Sequence, residues 1–506
     1  MTGGPKVVAP KDVIIRSGPP GCGKSTTMRA EAINQVGRYV FFVPTIHLLN
    51  EQVADFTEDM KRLRPTGGHV AVYEAHSGKG RGGVQRKLDD ARAAVEDAGE
   101  AHAVIFTTHD ALMTKDLSGF KDWHARIDEA PNAVKGGTID MTESWPWFDV
   151  YFDLSPVGAT GWSNLSLKGT APNWKKLAKD SLLNGQVDFV KLAPSPGGVF
   201  VSTDAWVGSE KVNWWWLWTP GLLKDFATVE IAGASYHTSL GAIVARKWFA
   251  NSVNLINDPI PMVRSKHPTV RIYFFTRAHK PATTFWESSN GRRMVKAVCD
   301  YLSSFVPDLG YWSGNDEVLK LMEWRVNGEK TSSKVMGQNK WRNLTKCSFI
   351  FSSGPTPNDR GIMETFDISE DDVFRAREDE DILQFAMRGA IRNRDFGDEF
   401  DVYVYTEDQA DALAASLTAS GIGAVEIVPV PEAGIMDETF AETKRGRNSA
   451  VPQTIDPKAP TAKVLNPKTK KMVLPKSLKR NQQRADNDKG TPKRGPGRPR
   501  KAAPPV

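Results

Sequence analysis

Cysteine is scarce in this chain of 506 residues: Cys22, Cys299 and Cys347 stand far apart and form no C-x-x-C pair. That excludes a disulfide framework and the usual zinc arrangements, and it suits a reducing, intracellular setting. Long apolar runs are lacking too. No stretch approaches the roughly 18 residues that would cross a bilayer, and the first residues lack the basic-then-apolar pattern of a secretory signal. The expectation is a soluble protein without a membrane partner, cytoplasmic, or nuclear if the host is eukaryotic. No internal repeat is visible, and after about residue 441 aromatic residues are missing altogether. Pro, Lys, Arg, Asn and Gln dominate there, so that stretch cannot bury enough apolar surface to offset its ordering entropy and is expected to be disordered alone.

The net charge of +6 conceals a division. Residues 441–506 carry 18 Lys and Arg against 4 Asp and Glu, which leaves the preceding residues net acidic. The basic character belongs to the tail and points to a polyanionic partner.

What is present is alternation. Short apolar runs at Val13–Ile15, Tyr39–Val43, Val70–Tyr73 and Ala103–Phe106 are separated by helix-like segments, the signature of a parallel sheet flanked by helices. A second such pattern runs from Arg271–Phe275 through Cys347–Phe351 to Asp401–Tyr405. Between about 138 and 228 helical periodicity fades, and 11 of the 15 tryptophans lie between 121 and 248, with Trp214, Trp215, Trp216 and Trp218 nearly consecutive. An inserted subdomain is expected, its tryptophans either filling a small core or offering a surface on which bases stack. The fold class is therefore α/β, with two doubly wound parallel-sheet domains, 1–245 (insertion about 138–228) and 246–435, and a basic tail at 436–506.

Gly18-Pro19-Pro20-Gly21-Cys22-Gly23-Lys24-Ser25 fits G-x-x-x-x-G-K-[ST] in full, after an apolar strand and before a helix starting near Ser25. Glycines let backbone N–H groups curl around phosphate oxygens, and the helix N-terminus adds favourable partial charge. With Thr26 these residues form the expected nucleotide site. Lys24 is placed to reach the β- and γ-phosphates of ATP, and Ser25 to ligate Mg²⁺. Hydrolysis needs further carboxylates on a later strand, one for the metal and one for the attacking water. Asp128-Glu129-Ala130-Pro131 supplies them, Asp128 for Mg²⁺ and Glu129 for the water, although Trp123–Ile127 before it is less apolar than such a strand prefers.

In this order of motifs the chain resembles the superfamily 2 helicases and translocases, motor ATPases built from two RecA-like domains. Asp128-Glu129-Ala130-Pro131 looks like their D-E-x-x box. Val43-Pro44-Thr45 with His47–Gln52, Thr107-Thr108-His109, and Phe274-Phe275-Thr276-Arg277 resemble segments that contact the strand, which implies nucleic-acid contacts at Thr45, Thr108 and Thr276. Gly233-Ala234-Ser235 and Asn358-Asp359-Arg360-Gly361-Ile362 occupy the places of coupling elements, with Gly233, Ala234, Ser235, Arg360 and Gly361 as the candidates. Gln384–Arg392 is similar to Q-x-x-G-R-x-G-R, whose arginines reach across the interdomain cleft to the γ-phosphate. Met387 stands where that pattern has Gly and the second Arg comes one position later. On one helix, residues 384, 388 and 392 would share a face, making Arg388 the first candidate for the arginine finger, Arg392 the next, and Gln384 a further catalytic residue.

In the tail, Lys493–Lys501 resembles the AT-hook. Its core Gly497-Arg498-Pro499, flanked by Arg494 and Arg500, suits the narrow minor groove of A·T-rich DNA; a generic polycation or a nuclear-import signal is the plainer alternative. The resemblances together imply a DNA-dependent ATPase using ATP and Mg²⁺, with replication, recombination or repair as its setting. A phage, viral or plasmid origin would suit its size. The alternatives are an RNA helicase and a non-motor DNA-binding protein switched by nucleotide.

Overall fold

The computed structural model describes residues 10–64, 68–140, 145–157, 161–171, 174–177, 187–207, 211–234, 236–277, 285–333 and 340–430, with two short strands at 464–465 and 472–473. The chain divides into a unit spanning Met1–Glu438 and a second spanning Thr439–Val506. In the second, Val464–Leu465 pairs antiparallel with Met472–Val473. The tail residues Arg494, Gly497, Arg498, Pro499 and Arg500 lie outside the described residues. The first unit holds both α/β domains.

Strands β1 (Lys11–Ser17), β2 (Arg38–Val43), β3 (Ala71–Glu74), β4 (Ala103–Thr108) and β5 (His124–Asp128) open a sheet interleaved with helices α1 (Lys24–Asn34), α2 (Ile46–Leu63), α3 (Val84–Asp97) and α4 (His109–Thr114). The run Tyr39–Val43 shows why the sheet is covered on both sides. Val40 and Phe42 pack on one face with Val13, Ile15, Ile105 and Ile127; Tyr39, Phe41 and Val43 pack on the other with Met28, Ile33, Leu49 and Phe56. A strand buried on both faces reads as a continuous apolar run.

After β5 the chain leaves this sheet. Strands β6 (Val134–Asp140), β7 (Phe152–Pro156), β8 (Trp162–Leu167), β9 (Val199–Ser202) and β10 (Lys211–Leu217) form an antiparallel sheet in the order β6-β10-β9-β8-β7. The tryptophan run is strand β10, and the two-residue period of a strand divides it. Trp214 and Trp216 join the core of the first domain, while Trp215 and Leu217 face the opposite way. All three tryptophans are buried, with Trp216 donating to Ser195 Oγ at 2.9 Å. Of the two readings of these tryptophans, core filling is the one observed.

The chain then returns through β11 (Thr228–Ala232) and β12 (Val253–Pro259) to complete a seven-stranded parallel sheet, β12-β1-β11-β5-β2-β4-β3. Because β12 pairs with β1 along Lys11–Ser17, the first domain extends past the boundary expected at residue 245. The second domain holds β13 (Thr269–Thr276), β14 (Tyr311–Gly314), β15 (Glu329–Lys330), β16 (Lys346–Ile350), β17 (Glu399–Thr406) and β18 (Ala424–Pro429), all parallel in the order β15-β14-β16-β17-β13-β18. Two parallel-sheet α/β domains are thus present, as the alternation predicted. Among the described residues no helix is long and apolar enough to cross a membrane.

The polar character of β5 has a tertiary cause. Arg126 is buried against Glu230 on the neighbouring β11 at 3.0 Å and lies over the Tyr39 ring, 5.3 Å from its centre. Glu230 also takes Arg16 of β1 at 3.0 Å, and Arg16 reaches Glu31 and Asp258. A charge at the middle of a parallel sheet is tolerated because it is paired on the adjacent strand.

Candidate active site

The loop Gly18–Ser25, where phosphate binding is expected, leaves the carboxyl end of β1, where open α/β sheets present ligands. Gly18, Gly21 and Gly23 all have positive φ, at 145°, 88° and 100°. At Gly18 a Cβ would stand 2.4 Å from the Ile260 carbonyl oxygen, so the close turn excludes any side chain there. Pro19, Pro20 and Cys22 are buried, and Thr26 is exposed on the first turn of α1. Gly23 caps α1 without any side chain bonding the first turn, which leaves the helix N–H groups available to an anion. Lys24 donates to the Gly18 and Pro19 carbonyls at 2.5 and 2.9 Å, and burial lowers its pKa, partly countered by Cys22, Asp128 and Glu380.

Asp128 arrives at the carboxyl end of β5, two strands from β1. Its Oδ1 accepts from Ser25 Oγ at 2.6 Å and its Oδ2 from Gln52 Nε2 at 3.1 Å; Gln52 in turn accepts from Arg29 at 2.7 Å. Burial raises the pKa of Asp128, against the bond from Ser25 and the charges of Lys24 and Arg29. Ser25 and Asp128 offer two hard oxygens beside the phosphate loop. Mg²⁺ is bound by one or two protein oxygens plus substrate phosphates and water, so the donor set fits that ion. No group of three or more His, Cys, Asp or Glu able to hold a metal occurs among the described residues.

Glu129 has φ 64°, the left-handed region, at a cost of order 1 kcal/mol for a residue with a side chain. Burial and the neighbouring Asp128 push its pKa up to about 7, with Arg388 pulling the other way. His109 is buried behind the pair and donates from Nε2 to the Asp128 carbonyl at 2.9 Å; burial pushes its pKa down to about 4, so the ring is neutral.

The second domain closes over this loop. Arg388 and Arg392 have pKa values lowered first by burial, and Glu129 is the carboxylate that favours their charge. A Cβ at Gly21 would stand 2.9 Å from Arg392 Cγ. Arg394 donates to the Cys22 carbonyl at 3.0 Å, and Cys22 itself packs with Met262, Met387 and Ile391 in the core cluster of the second domain. The single helix expected to carry residues 384, 388 and 392 is not formed. It runs Glu380–Ala386 and stops; Gly389 is extended, and Ala390–Arg392 makes one tighter turn. The arginines reach the cleft through that break, since Gly389 fits where a Cβ would meet the Phe400 ring at 2.5 Å.

The remaining candidates are dispersed. Thr45 caps α2 through a bond from Leu48 N at 3.2 Å and is exposed; Thr108 ends β4, half-buried. Both stand on the carboxyl edge of the first sheet. Thr276, by contrast, is fully buried at the end of β13, so its side chain is not presented to an external polymer in this conformation. Gly233 follows β11 and bonds the Arg16 carbonyl at 3.2 Å, Ala234 packs on the core of the second domain, and Ser235 lies outside the described residues. Arg360 is exposed and paired with Glu364 at 2.6 Å, while Gly361 lies under Trp162 and Trp215 of the inserted sheet. Asp359 beside it is held by Arg377 at 2.5 and 2.9 Å.

Sequence reasoning missed Arg29, Gln52, His109, Glu380 and Arg394 as site residues. Gln52 and His109 lie inside segments singled out for other reasons. Arg394 follows Arg392 by two, a spacing no helix pattern would favour.

No protein-family model matches the chain, and no curated protein matches it. Among solved structures it is similar to one named XPD_Helicase, at 10% identity over 83% of this chain and 96% of that one, with a TM-score of 0.44. It is also similar to Xpd4 of S. tokodaii, at 13% identity over 82% and 96% with a TM-score of 0.39. A third likeness is to RecG bound to a three-way DNA junction, at 11% identity over 80% of this chain and 41% of that one, with a TM-score of 0.30.

Proposed function

We propose that the chain is a nucleic-acid-dependent ATPase of the superfamily 2 helicase and translocase type, acting on DNA. The observation that carries the reading is the meeting of the two domains at the phosphate loop: Arg394 bonds the Cys22 carbonyl and Arg392 covers Gly21. An ATP site assembled from both domains makes hydrolysis depend on how they close.

In this reading the loop amides, Lys24 and the free end of α1 hold the triphosphate. Ser25 and Asp128 would hold Mg²⁺, which supplies charge neutralisation on the phosphate oxygens. Gln52 and His109 fix Asp128 from the side chain and from the backbone. Glu129 takes the proton of the attacking water, its raised pKa matching general-base work near neutrality. Arg388 and Arg392 stabilise the charge that develops on the transferred phosphoryl group. Thr45 and Thr108 contact the strand backbone on the carboxyl edge of the first sheet. The tail contributes Arg494, Gly497, Arg498, Pro499 and Arg500 to A·T-rich minor grooves, raising the local concentration of duplex. Replication, recombination or repair is the setting proposed.

The test is steady-state ATP hydrolysis of the full chain and of residues 1–440 with single-stranded DNA, duplex DNA and RNA. DNA stimulation of both forms, with duplex affinity lost and salt dependence reduced in the shorter one, supports the reading. Equal stimulation by RNA removes the DNA assignment, and absence of hydrolysis with every polymer rejects the motor.

A further inference from the structure

Glu380 opens the helix Glu380–Ala386 in the second domain, directly after a π-turn at Arg375–Asp379. Such turns insert one extra residue and rotate the next stretch of helix, and they recur at functional sites. Glu380 and Gln384 are one helical turn apart and share a face. Gln384 Nε2 donates to Glu380 Oε1 at 2.9 Å. The side chain of Glu380 is close enough to the cleft to act electrostatically on both Lys24 and Glu129 of the first domain.

A carboxylate oxygen accepts this bond, whereas an amide can present either end. Facing Glu380, Gln384 must turn its nitrogen inward, and the opposite end, its carbonyl oxygen, is then the end left for a third group. An ordinary surface pair at this spacing contributes little. This pair carries a cost as well, because the second oxygen of Glu380, Oε2, is buried with no partner among the described residues. Burying an unsatisfied acceptor is unfavourable, because it gives up its bond to water without a replacement.

We infer that Glu380 is a positioning residue: it locks the Gln384 amide so that the carbonyl oxygen accepts from the water attacking the γ-phosphate. The inference rests on the ATPase reading and adds to it the group that dictates which end of Gln384 meets the water. Glu380 itself need not touch substrate. Its effect belongs to the reacting state, so it falls on kcat and leaves ATP affinity in place.

The experiment is nucleic-acid-stimulated ATP hydrolysis by the full chain carrying Glu380→Ala, Glu380→Gln, Gln384→Ala and each Glu380 change combined with Gln384→Ala. Glu380→Ala should lower kcat about tenfold with KM for ATP within about twofold. Glu380→Gln should fall between it and the wild type, because an amide at 380 still accepts but no longer dictates the orientation of its neighbour. In the Gln384→Ala background neither change should lower kcat further, since a positioning residue has nothing left to position. If Glu380→Ala does not fold, Glu380→Gln alone decides. Unchanged kcat, a loss confined to KM, or the same loss with and without Gln384 each overturns the inference. A wild-type chain without ATPase activity would sink the functional reading instead, whereas an active wild type with unaffected Glu380 variants sinks this inference alone.

Discussion

Arg392 of the second domain lies over Gly21 of the phosphate loop so closely that a Cβ on Gly21 would stand 2.9 Å from the arginine Cγ. Gly21 also has φ 88°, a conformation that L side chains rarely adopt. Gly21→Ala should therefore impair two things at once, the curl of the loop and the seating of Arg392. We expect kcat/KM for ATP to fall at least about tenfold, with the overall fold intact by circular dichroism. Gly80, which also has positive φ but open space around it, supplies the control: Gly80→Ala should leave hydrolysis within about twofold.

Burial and the neighbouring Asp128 push the Glu129 pKa from its ordinary value of 4.5 up to about 7 in the folded protein. A carboxylate whose folded pKa is raised makes the folded state lose stability as pH climbs from the ordinary value to the folded one. Glu129→Gln removes that loss. In the nucleotide-free protein its advantage over the wild type should be absent near pH 4.5, grow toward pH 7 and then level off, at about 3 kcal/mol. Urea denaturation at several pH values measures it. The same change should abolish turnover while ATP still binds.

Trp215 joins the inserted sheet to the second domain. It stacks on Phe200 at 4.1 Å, meets Phe366 edge-on at 5.1 Å and packs against Gly361. Trp215→Ala should cost about 3–5 kcal/mol, the usual range for emptying an aromatic site. Because the contact spans both domains, the denaturation curve should also broaden or split, and differential scanning calorimetry would show it.

Glu230 neutralises two arginines, Arg16 and Arg126, at 3.0 Å each. Glu230→Ala leaves Arg126 buried with its principal counter-charge gone, which should cost about 3–5 kcal/mol. Chemical denaturation of this variant and of the exposed-pair control Glu364→Ala, expected within about 1 kcal/mol, tests whether burial is the cause.

The legible parts of this protein were those in which one stretch of chain meets its own needs. Val13–Ile15, Gly18–Gly23 and Tyr39–Val43 announce a strand, a glycine-rich turn and a doubly covered strand from adjacent residues alone. Strand β5 was harder to read, because Arg126 suits a sheet interior only beside Glu230, far along the chain on β11. The helix anticipated through Arg392 failed for a related reason: spacing by four describes a helix only if nothing stops it, and Gly389 packs extended beneath the Phe400 ring. Trp214, Trp215 and Trp216 left both core and stacking surface open. Their division between two cores follows from the sheets that cover each face.

The amino-acid sequence by itself determined the alternating α/β pattern and the glycine-rich turn between β1 and α1, because periodicity and turn chemistry act over a few neighbouring residues. Only the tertiary structure decided that Gln52 and His109 hold Asp128, that Arg392 and Arg394 come to rest on the phosphate loop, and that Glu380 meets Gln384. Those contacts join groups from different strands, helices and domains, and whether a buried charge is paired or orphaned is settled by the packing of the whole unit.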